Sequence, residues 1–371
     1  MHQVIATPQD DKFAIYRPGS PRAVHISRVF YMELTDAVTA NGPVPEWFIS
    51  ACRQAWNIDV AGVPGRESVI VRPKTELNYS RATYEINKFC NLNCKMCYLP
   101  MRPLSGLGLE DKGRLLAMLR DAGVVWLQIT GGEPTVDPDF PAFYRMAYEA
   151  GMMLDILTNG TRLHSHIDLL GECPPNKVTV SMYGATESAF EALTRTRGAF
   201  KGFMKGLEGA KAAGLPLEIT LLVTKDNAQE VEAMRSLASE YAETVTVCGT
   251  ISPTYDGGVG PLTQQADGWG DRSEVFAGCP AGHAFFHVDP HGLVTMCKVG
   301  RENPVNLMAE GLDGLLRLPG IADAQMLRTG GCSDCKLSKT CRVCRPLAKA
   351  YQEAKAPLAH YCQHGMKEVT A

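Results

Sequence analysis

Between residues 83 and 251 the chain alternates apolar strand-like runs with amphipathic helix-like ones, and few folds accept that pattern. The strand-like runs are 83–89, 124–130, 152–158, 177–182, 217–224 and 244–251. Helix-like runs fill the gaps at 109–122, 139–150, 162–170, 187–193 with 200–213, and 228–241. Six such β/α units imply an α/β fold with a parallel sheet and covering helices. The informative residues stand where the strands end: Cys90 follows the first run, Gly131 the second and Asn159 the third, and Ser181 lies at the end of the fourth.

The first of these ends opens a C-x₃-C-x₂-C motif, Cys90, Cys94 and Cys97. Three thiolates so close together can hold three irons of a cubic [4Fe–4S] cluster. No fourth cysteine follows at once, which leaves one iron open to a small ligand. A structural zinc knuckle is the rival reading, but it wants a fourth Cys or His, and no histidine lies between Ile26 and Leu163. The second end carries Gly131-Gly132-Glu133-Pro134, where missing Cβ atoms let backbone approach a ligand closely. Alone, that stretch is an ordinary β-to-α turn.

With both motifs on the page, the chain resembles the radical SAM enzymes. The resemblance implies a partial (β/α)6 TIM-like barrel with its active groups at the strand C-terminal ends. It implies an open iron that chelates S-adenosyl-L-methionine (SAM), and one-electron cleavage of SAM to a 5′-deoxyadenosyl radical that abstracts a hydrogen atom. By resemblance, Gly131, Gly132, Glu133 and Pro134 receive the SAM amino group, and Asn159 and Ser181 contact its ribose or methionyl part. Arg195 is a candidate partner for the SAM carboxylate. For Asn159, Ser181 and Arg195 the alternative is a turn residue or a solvated side chain. Met96 stands where this superfamily commonly has an aromatic residue.

The chain has thirteen cysteines in 371 residues, grouped as close pairs and without a secretory signal, which points to metal rather than disulfides. Beyond Cys90–Cys97 they run Cys279, Cys297, Cys332-x₂-Cys335-x₅-Cys341-x₂-Cys344 and Cys362. This order resembles the SPASM extension of radical SAM enzymes, which holds two auxiliary [4Fe–4S] clusters. Carried over by position, Cys332, Cys335, Cys341 and Cys362 hold the distal cluster, and Cys279, Cys297 and Cys344 the proximal one. Some relatives have another cysteine shortly after Cys279; here that segment has none, so the proximal cluster has an open iron or a ligand such as His283 or His287. Its x₂ spacing before Cys344 departs from the more usual x₃. Two zinc sites are the rival reading. Cys52, Cys173 and Cys248 lie outside these groups and default to small buried residues. Cys248, at the end of the sixth run, is also placed to donate a hydrogen atom to a substrate.

With 45% apolar and 21% charged residues, the chain has the composition of a globular protein with a real core. A net charge of −3 and no Lys/Arg-rich run argue against a nucleic-acid partner. Nothing approaches membrane-spanning length and no signal peptide opens the chain, so a cytoplasmic location and no membrane are expected. Three domains are expected: an N-terminal module over 1–80, a radical SAM core over 81–271 and a cysteine-rich auxiliary-cluster domain over 272–371. The first holds strand-like 13–16 and 23–26 and helix-like 29–41 and 44–56, a winged-helix-like pattern. In the resembled families such modules bind the leader of a precursor peptide; the plainer reading is a capping extension.

The resemblance implies an oxidoreductase that most often modifies a ribosomally made peptide by crosslinking or side-chain oxidation, passing an electron to auxiliary clusters. Ile251-Ser252-Pro253-Thr254-Tyr255-Asp256-Gly257 resembles the corresponding loop of peptide-maturing members. The alternative is a small-molecule dehydrogenase, epimerase or decarboxylase in natural-product biosynthesis. A non-enzymatic iron–sulfur or zinc scaffold does not explain Gly131–Pro134. The chemistry also requires a reductant of flavodoxin or ferredoxin type.

Overall fold

In the computed structural model, residues 3–9, 12–270 and 274–362 are described. The N-terminal module contains β1 (Val4–Gln9), β2 (Lys12–Tyr16), β3 (Ala23–Ile26), α1 (Arg28–Thr39), α2 (Glu46–Trp56), α3 (Gly65–Ser68) and β4 (Val69–Val71). Its strands form one sheet in the order β3-β2-β1-β4, with β4 parallel to β1 and the other pairs antiparallel. Ser27 starts α1 by accepting a hydrogen bond from the Phe30 N–H, a cap worth about 1 kcal/mol. Alternation along the strands sorts their side chains. Val4, Ala6 and Ile15 pack with Leu34, Phe48, Ile49 and Cys52 in the module's own core. Ile5, Ala14 and Tyr16, on the opposite face, meet Val125 and Met153.

The core follows as β5 (Arg81–Glu85), α4 (Leu109–Asp121), β6 (Trp126–Thr130), α5 (Phe140–Glu149), β7 (Met153–Thr158), α6 (Ile167–Glu172), β8 (Lys177–Met182), α7 (Glu187–Thr194), α8 (Ala199–Ala212), β9 (Leu217–Leu222), α9 (Val231–Ser239) and β10 (Thr244–Cys248). Strands β5 to β10 are parallel and adjacent in chain order, the arrangement of a partial (β/α)6 barrel. Period-two patterning divides the work within each strand. In β8 and β9, Val178, Val180, Met182, Ile219 and Leu221 are buried in the main apolar core. Their neighbours Ser181, Thr220 and Leu222 point the other way and line a cavity.

Past β10 the chain does not begin anew. Strands β11 (Phe285–Val288), β12 (Leu293–Thr295) and β13 (Val305–Asn306) join the same sheet, giving the order β10-β9-β8-β7-β6-β5-β11-β12-β13. The segment expected as a separate unit from 272 onward thus opens as an extension of the barrel sheet, because β11 pairs in parallel with β5 through Phe285↔Arg81 to Val288↔Tyr84. Helices α10 (Leu307–Glu310), α11 (Leu318–Gln325) and α12 (Arg345–Glu353) follow. Between α11 and α12 lie mostly turns, which carry Cys332, Cys335, Cys341 and Cys344. Among the described residues, no helix is long and apolar enough to cross a membrane.

Candidate radical SAM site

The first strand-like run is shorter than its sequence suggests, and the reason lies in the site. β5 stops at Glu85, and residues 86–89 peel away to deliver Cys90. They remain tied to the end of β6: the Gly132 N–H donates to the Asn87 carbonyl at 3.0 Å, and the Glu133 N–H to the Phe89 carbonyl at 2.8 Å. This explains the two glycines differently from the sequence reading. A Cβ on Gly131 would sit 2.3 Å from the Asn87 oxygen, and one on Gly132 would sit 2.2 Å from the Phe89 oxygen. The close approach is to the chain's own cysteine loop, so Gly131 and Gly132 seat that loop.

Glu133 is fully buried and faces inward. Its Oε1 accepts from the Thr135 N–H (3.0 Å), the Thr135 hydroxyl (2.5 Å) and the Thr158 hydroxyl (2.6 Å), and its Oε2 accepts from the Asn159 N–H (2.6 Å). Burial raises its pKa, and the four donors only partly offset that. Asn159, held in this way, donates through Nδ2 to the Asn91 Oδ1 at 3.0 Å and faces the Cys90 sulfur at 3.7 Å. A chain of bonds therefore runs from the Gly-Gly-Glu turn through Asn159 into the cysteine motif. Pro134 is buried at the start of a short 3-10 turn (Pro134–Val136). Below it, Lys112 is 3% exposed and pairs with Asp137 (3.3 Å) and Asp139 (2.8 Å), while Asp137 also accepts from Asn87 Nδ2 (2.8 Å).

A cavity of about 370 Å³ opens at these strand ends. Cys90, Cys94, Cys97, Gly131, Gly132, Glu133, Asn159, Ser181 and Cys248 all line it. Arg195 does not: it is exposed at the C-cap of α7 with φ +50°. The cations on the cavity wall are Arg102 and Lys298. Arg102 is held against the cysteine loop by the Leu92 carbonyl. Lys298 lies 4.3 Å over the Tyr98 ring, and no carboxylate pairs with it among the described residues.

A second cavity, of about 410 Å³, shares Met96, Tyr98, Leu222 and Lys298 with the first. It extends along residues 250–255 to Arg301, Glu302 and Lys349 of the C-terminal segment. The seam between barrel and segment is a buried charge cluster. Glu85, fully buried, accepts from Arg301 (2.8 and 3.3 Å) and from the Tyr98 hydroxyl (3.0 Å). His287 stands 3.7 Å away and bonds Thr83 through Nδ1 at 2.7 Å. Burial alone would raise the Glu85 pKa, but His287 and Arg301 outweigh it and hold the carboxyl well below the usual range. Tyr255 lies near Lys88 (5.4 Å) and Arg301 (5.0 Å) in cation–π geometry.

None of the thirteen cysteines is in a disulfide. Burial pushes Cys90 up to about 11 and Cys94 higher still, so a bound cation is what would hold them ionised. In the C-terminal segment, burial raises the Cys297 thiol, with Cys344 and Cys279 near enough to add to the effect. Tyr361 senses Cys332 and Cys362 in the same way, after burial. Donors meet several sulfurs: Gly300 N–H on Cys297 (3.1 Å), Gln352 Nε2 on Cys332 (3.3 Å), Leu92 N–H on Cys90 (3.4 Å) and Arg345 Nη2 on Cys341 (2.8 Å). His283 pairs with Asp323 at 2.9 Å, and His287 faces Glu85. Among the described residues, no three His, Cys, Asp or Glu side chains converge on a single ion. Cys52 and Cys173 are buried, Cys52 in the module's apolar core and Cys173 with Arg145 Nη1 at 4.0 Å from its sulfur.

Residues 84–238 match the family model described as the Radical SAM superfamily. The chain therefore carries a radical SAM domain, whose cofactors are SAM and a [4Fe–4S] cluster and whose members catalyse SAM-cleaving radical reactions. Mycofactocin maturase MftC of Mycobacterium tuberculosis is 29% identical over 249 residues, covering 59% of this chain and 60% of that protein. GTP 3′,8-cyclase of Paracoccus denitrificans is 34% identical over 164 residues, 42% of this chain and 45% of the cyclase. The chain thus spans about half of the length of the curated relatives it matches. In fold it is similar to SuiB of Streptococcus suis bound to the precursor peptide SuiA, with a TM-score of 0.62 at 14% identity over 92% of this chain and 93% of SuiB.

The residues at the strand ends fit the two cofactors. Three thiols share one cavity wall with donors aimed at a sulfur; beside them Gly131, Gly132, Asn159 and Ser181 offer polar groups, and larger side chains such as Met96, Tyr98, Tyr183 and Leu222 give the cavity an apolar body suited to a nucleoside. Sequence reasoning missed Arg102, Lys298 and the Glu85–Arg301–Tyr98 cluster. Tyr98 and Lys298 directly follow Cys97 and Cys297, a neighbourhood that could have flagged them; Glu85 and Arg301 are 216 residues apart and only the fold joins them.

Proposed function

We propose that the protein is a radical SAM oxidoreductase that modifies a ribosomally made peptide, by crosslinking or by oxidising a side chain. One observation carries this reading: a second cavity runs from Met96 and Tyr98, which flank Cys97, past Lys298, which follows Cys297, to Pro346 and Leu347, close after Cys344. A substrate held there sits between a radical source and an electron acceptor. Cys90, Cys94 and Cys97 would hold the SAM-binding cluster. Cys279, Cys297 and Cys344 would hold an inner auxiliary cluster, and Cys332, Cys335, Cys341 and Cys362 an outer one. When bound, the cluster and SAM supply a 5′-deoxyadenosyl radical that removes a hydrogen atom from the substrate.

The protein's own residues orient and shield. Asn159 and Ser181 present polar groups to the SAM cavity, and Arg102 or Lys298, rather than exposed Arg195, is available to its carboxylate. Met96, Tyr98 and Leu222 wall the passage between the cavities and exclude water from a substrate radical. Cys248 borders the SAM cavity and is placed to return a hydrogen atom. In the N-terminal module, β3 is an edge strand with Ala23 and His25 exposed, suited to pairing with an extended leader peptide. A reductant of flavodoxin or ferredoxin type would feed the first electron.

The test is anaerobic reconstitution followed by measurement of 5′-deoxyadenosine, with and without candidate precursor peptides encoded beside the gene. Cleavage that Cys94→Ala abolishes, and that a peptide couples to a mass change in itself, supports the reading. Preserved cleavage in Cys94→Ala sinks the cluster assignment. The kinship with GTP 3′,8-cyclase favours a second reading, small-molecule chemistry. That reading expects turnover to be indifferent to peptides.

A further inference from the structure

Arg345 is an anomalous charge. It opens α12 directly after Cys344 and is only 5% exposed. No carboxylate pairs with it among the described residues, and its Nε and Nη1 are buried without a partner. Its Nη2 donates to the Cys341 sulfur at 2.8 Å and to the Val343 carbonyl. A buried guanidinium without an anion is costly. Its position adds to the cost, because the N-terminal end of a helix dipole repels a cation. The site therefore calls for negative charge beside Cys341, and a thiolate-bound cluster supplies it.

Other sulfurs of the proposed cluster sets meet neutral donors: Gly300 N–H on Cys297 and Gln352 Nε2 on Cys332. Cys341 meets a cation, with Arg328 also close to it. Hydrogen bonds to sulfur and local net charge set the potential of an iron–sulfur cluster. A cationic donor stabilises the reduced, more negative state.

We propose that Arg345 is a positioning residue that raises the redox potential of the outer auxiliary cluster, the one Cys341 would help to hold. The proposal rests on the auxiliary-cluster reading above. With both clusters bound, a higher potential beside Arg345 would favour movement of an electron given up by the substrate outward, from the inner to the outer cluster, for release to an external carrier of ferredoxin class.

The test is a dithionite titration of the reconstituted full-length protein, followed by electron paramagnetic resonance, in wild type, Arg345→Gln and Arg345→Lys. The expected result is equal iron in all three and a lower midpoint for one auxiliary signal in Arg345→Gln. Arg345→Lys restores most of that shift, and the SAM cluster does not move. An unmoved midpoint in an iron-replete Arg345→Gln overturns the proposal. A wild type holding only about four irons overturns the auxiliary-cluster reading itself, and this inference with it. If Arg345→Gln loses iron, wild type labelled with nitrogen-15 arginine decides. A nitrogen coupling on the outer signal supports the proposal, and its absence overturns it.

Discussion

The N-terminal module and the C-terminal segment dock on the same sheet, the first at the strand starts and the second beside the strand ends. The module brings its own apolar core around Phe48 and Leu34 and presses a second apolar face on the barrel, where Tyr16 meets Trp126 edge-on at 4.9 Å. Arg72, a buried charge in that contact, donates to the backbone carbonyls of Val124 and Arg120. The C-terminal segment beyond α11 has little of this. Its apolar cluster is Val343, Leu347, Ala348 and Tyr351 against Ile251 and Leu262, and its turns are occupied by cysteines. Before α11, the same C-terminal segment is tied to the barrel by a buried ion pair, Arg301 to Glu85. The comparison teaches that one appendage folds by burial, while the other has a thin apolar cluster and cysteine-bearing turns that a group bound to its thiols would complete.

The largest effect should come from withholding iron. Protein prepared without iron and sulfide should lose hydrogen-exchange protection across 326–362 while 12–71 keeps its own. Equal protection with and without iron would erase the contrast. Next comes Arg301→Leu, which takes the guanidinium from the buried Glu85 carboxylate, leaves it only the Tyr98 hydroxyl and nearby His287, and should cost about 3 kcal/mol in denaturant unfolding. Arg72→Met removes donors from backbone carbonyls but strands no charge, so about 1–3 kcal/mol is expected. If Arg72→Met proved the more damaging, the ranking of the two docking modes would reverse.

The smallest effect is a pH dependence within the barrel. Burial holds His166 below its ordinary pKa, and its ring accordingly stays neutral when folded, bonded to the Thr135 carbonyl at 2.9 Å. The unfolded chain takes up the proton first. The associated stability is therefore full above about pH 6.5 and declines as pH falls through that value. His166→Asn should flatten this part of a stability profile measured between pH 7.5 and pH 5.5. An unchanged slope would remove His166 as its source.

Much of the barrel was legible in advance because apolar period-two runs and helical runs report local structure, and six of them leave little choice of fold. The cysteine and Gly-Gly-Glu motifs were legible because their spacing is short, so few residues separate groups that must meet. Strands β1 and β4 were not, since a pairing between residues 4–6 and 69–71 leaves no local mark. The same holds for β11, whose partner β5 lies some 200 residues earlier and which lengthens the barrel sheet.

By itself, the sequence determined the parallel α/β core, and it pointed to metal at both cysteine groups and to the strand ends as the place of chemistry. The tertiary structure alone showed why Gly131 and Gly132 carry no Cβ, because only there does the Asn87–Phe89 backbone come within reach of the missing atoms. It also decided that Glu133 is a buried brace, that Arg195 stays outside the cavity, and that Lys298, Arg301 and Arg345 stand where charge matters. A charge acquires its role from burial and from partners distant in the chain, and neither is written in a residue's neighbours.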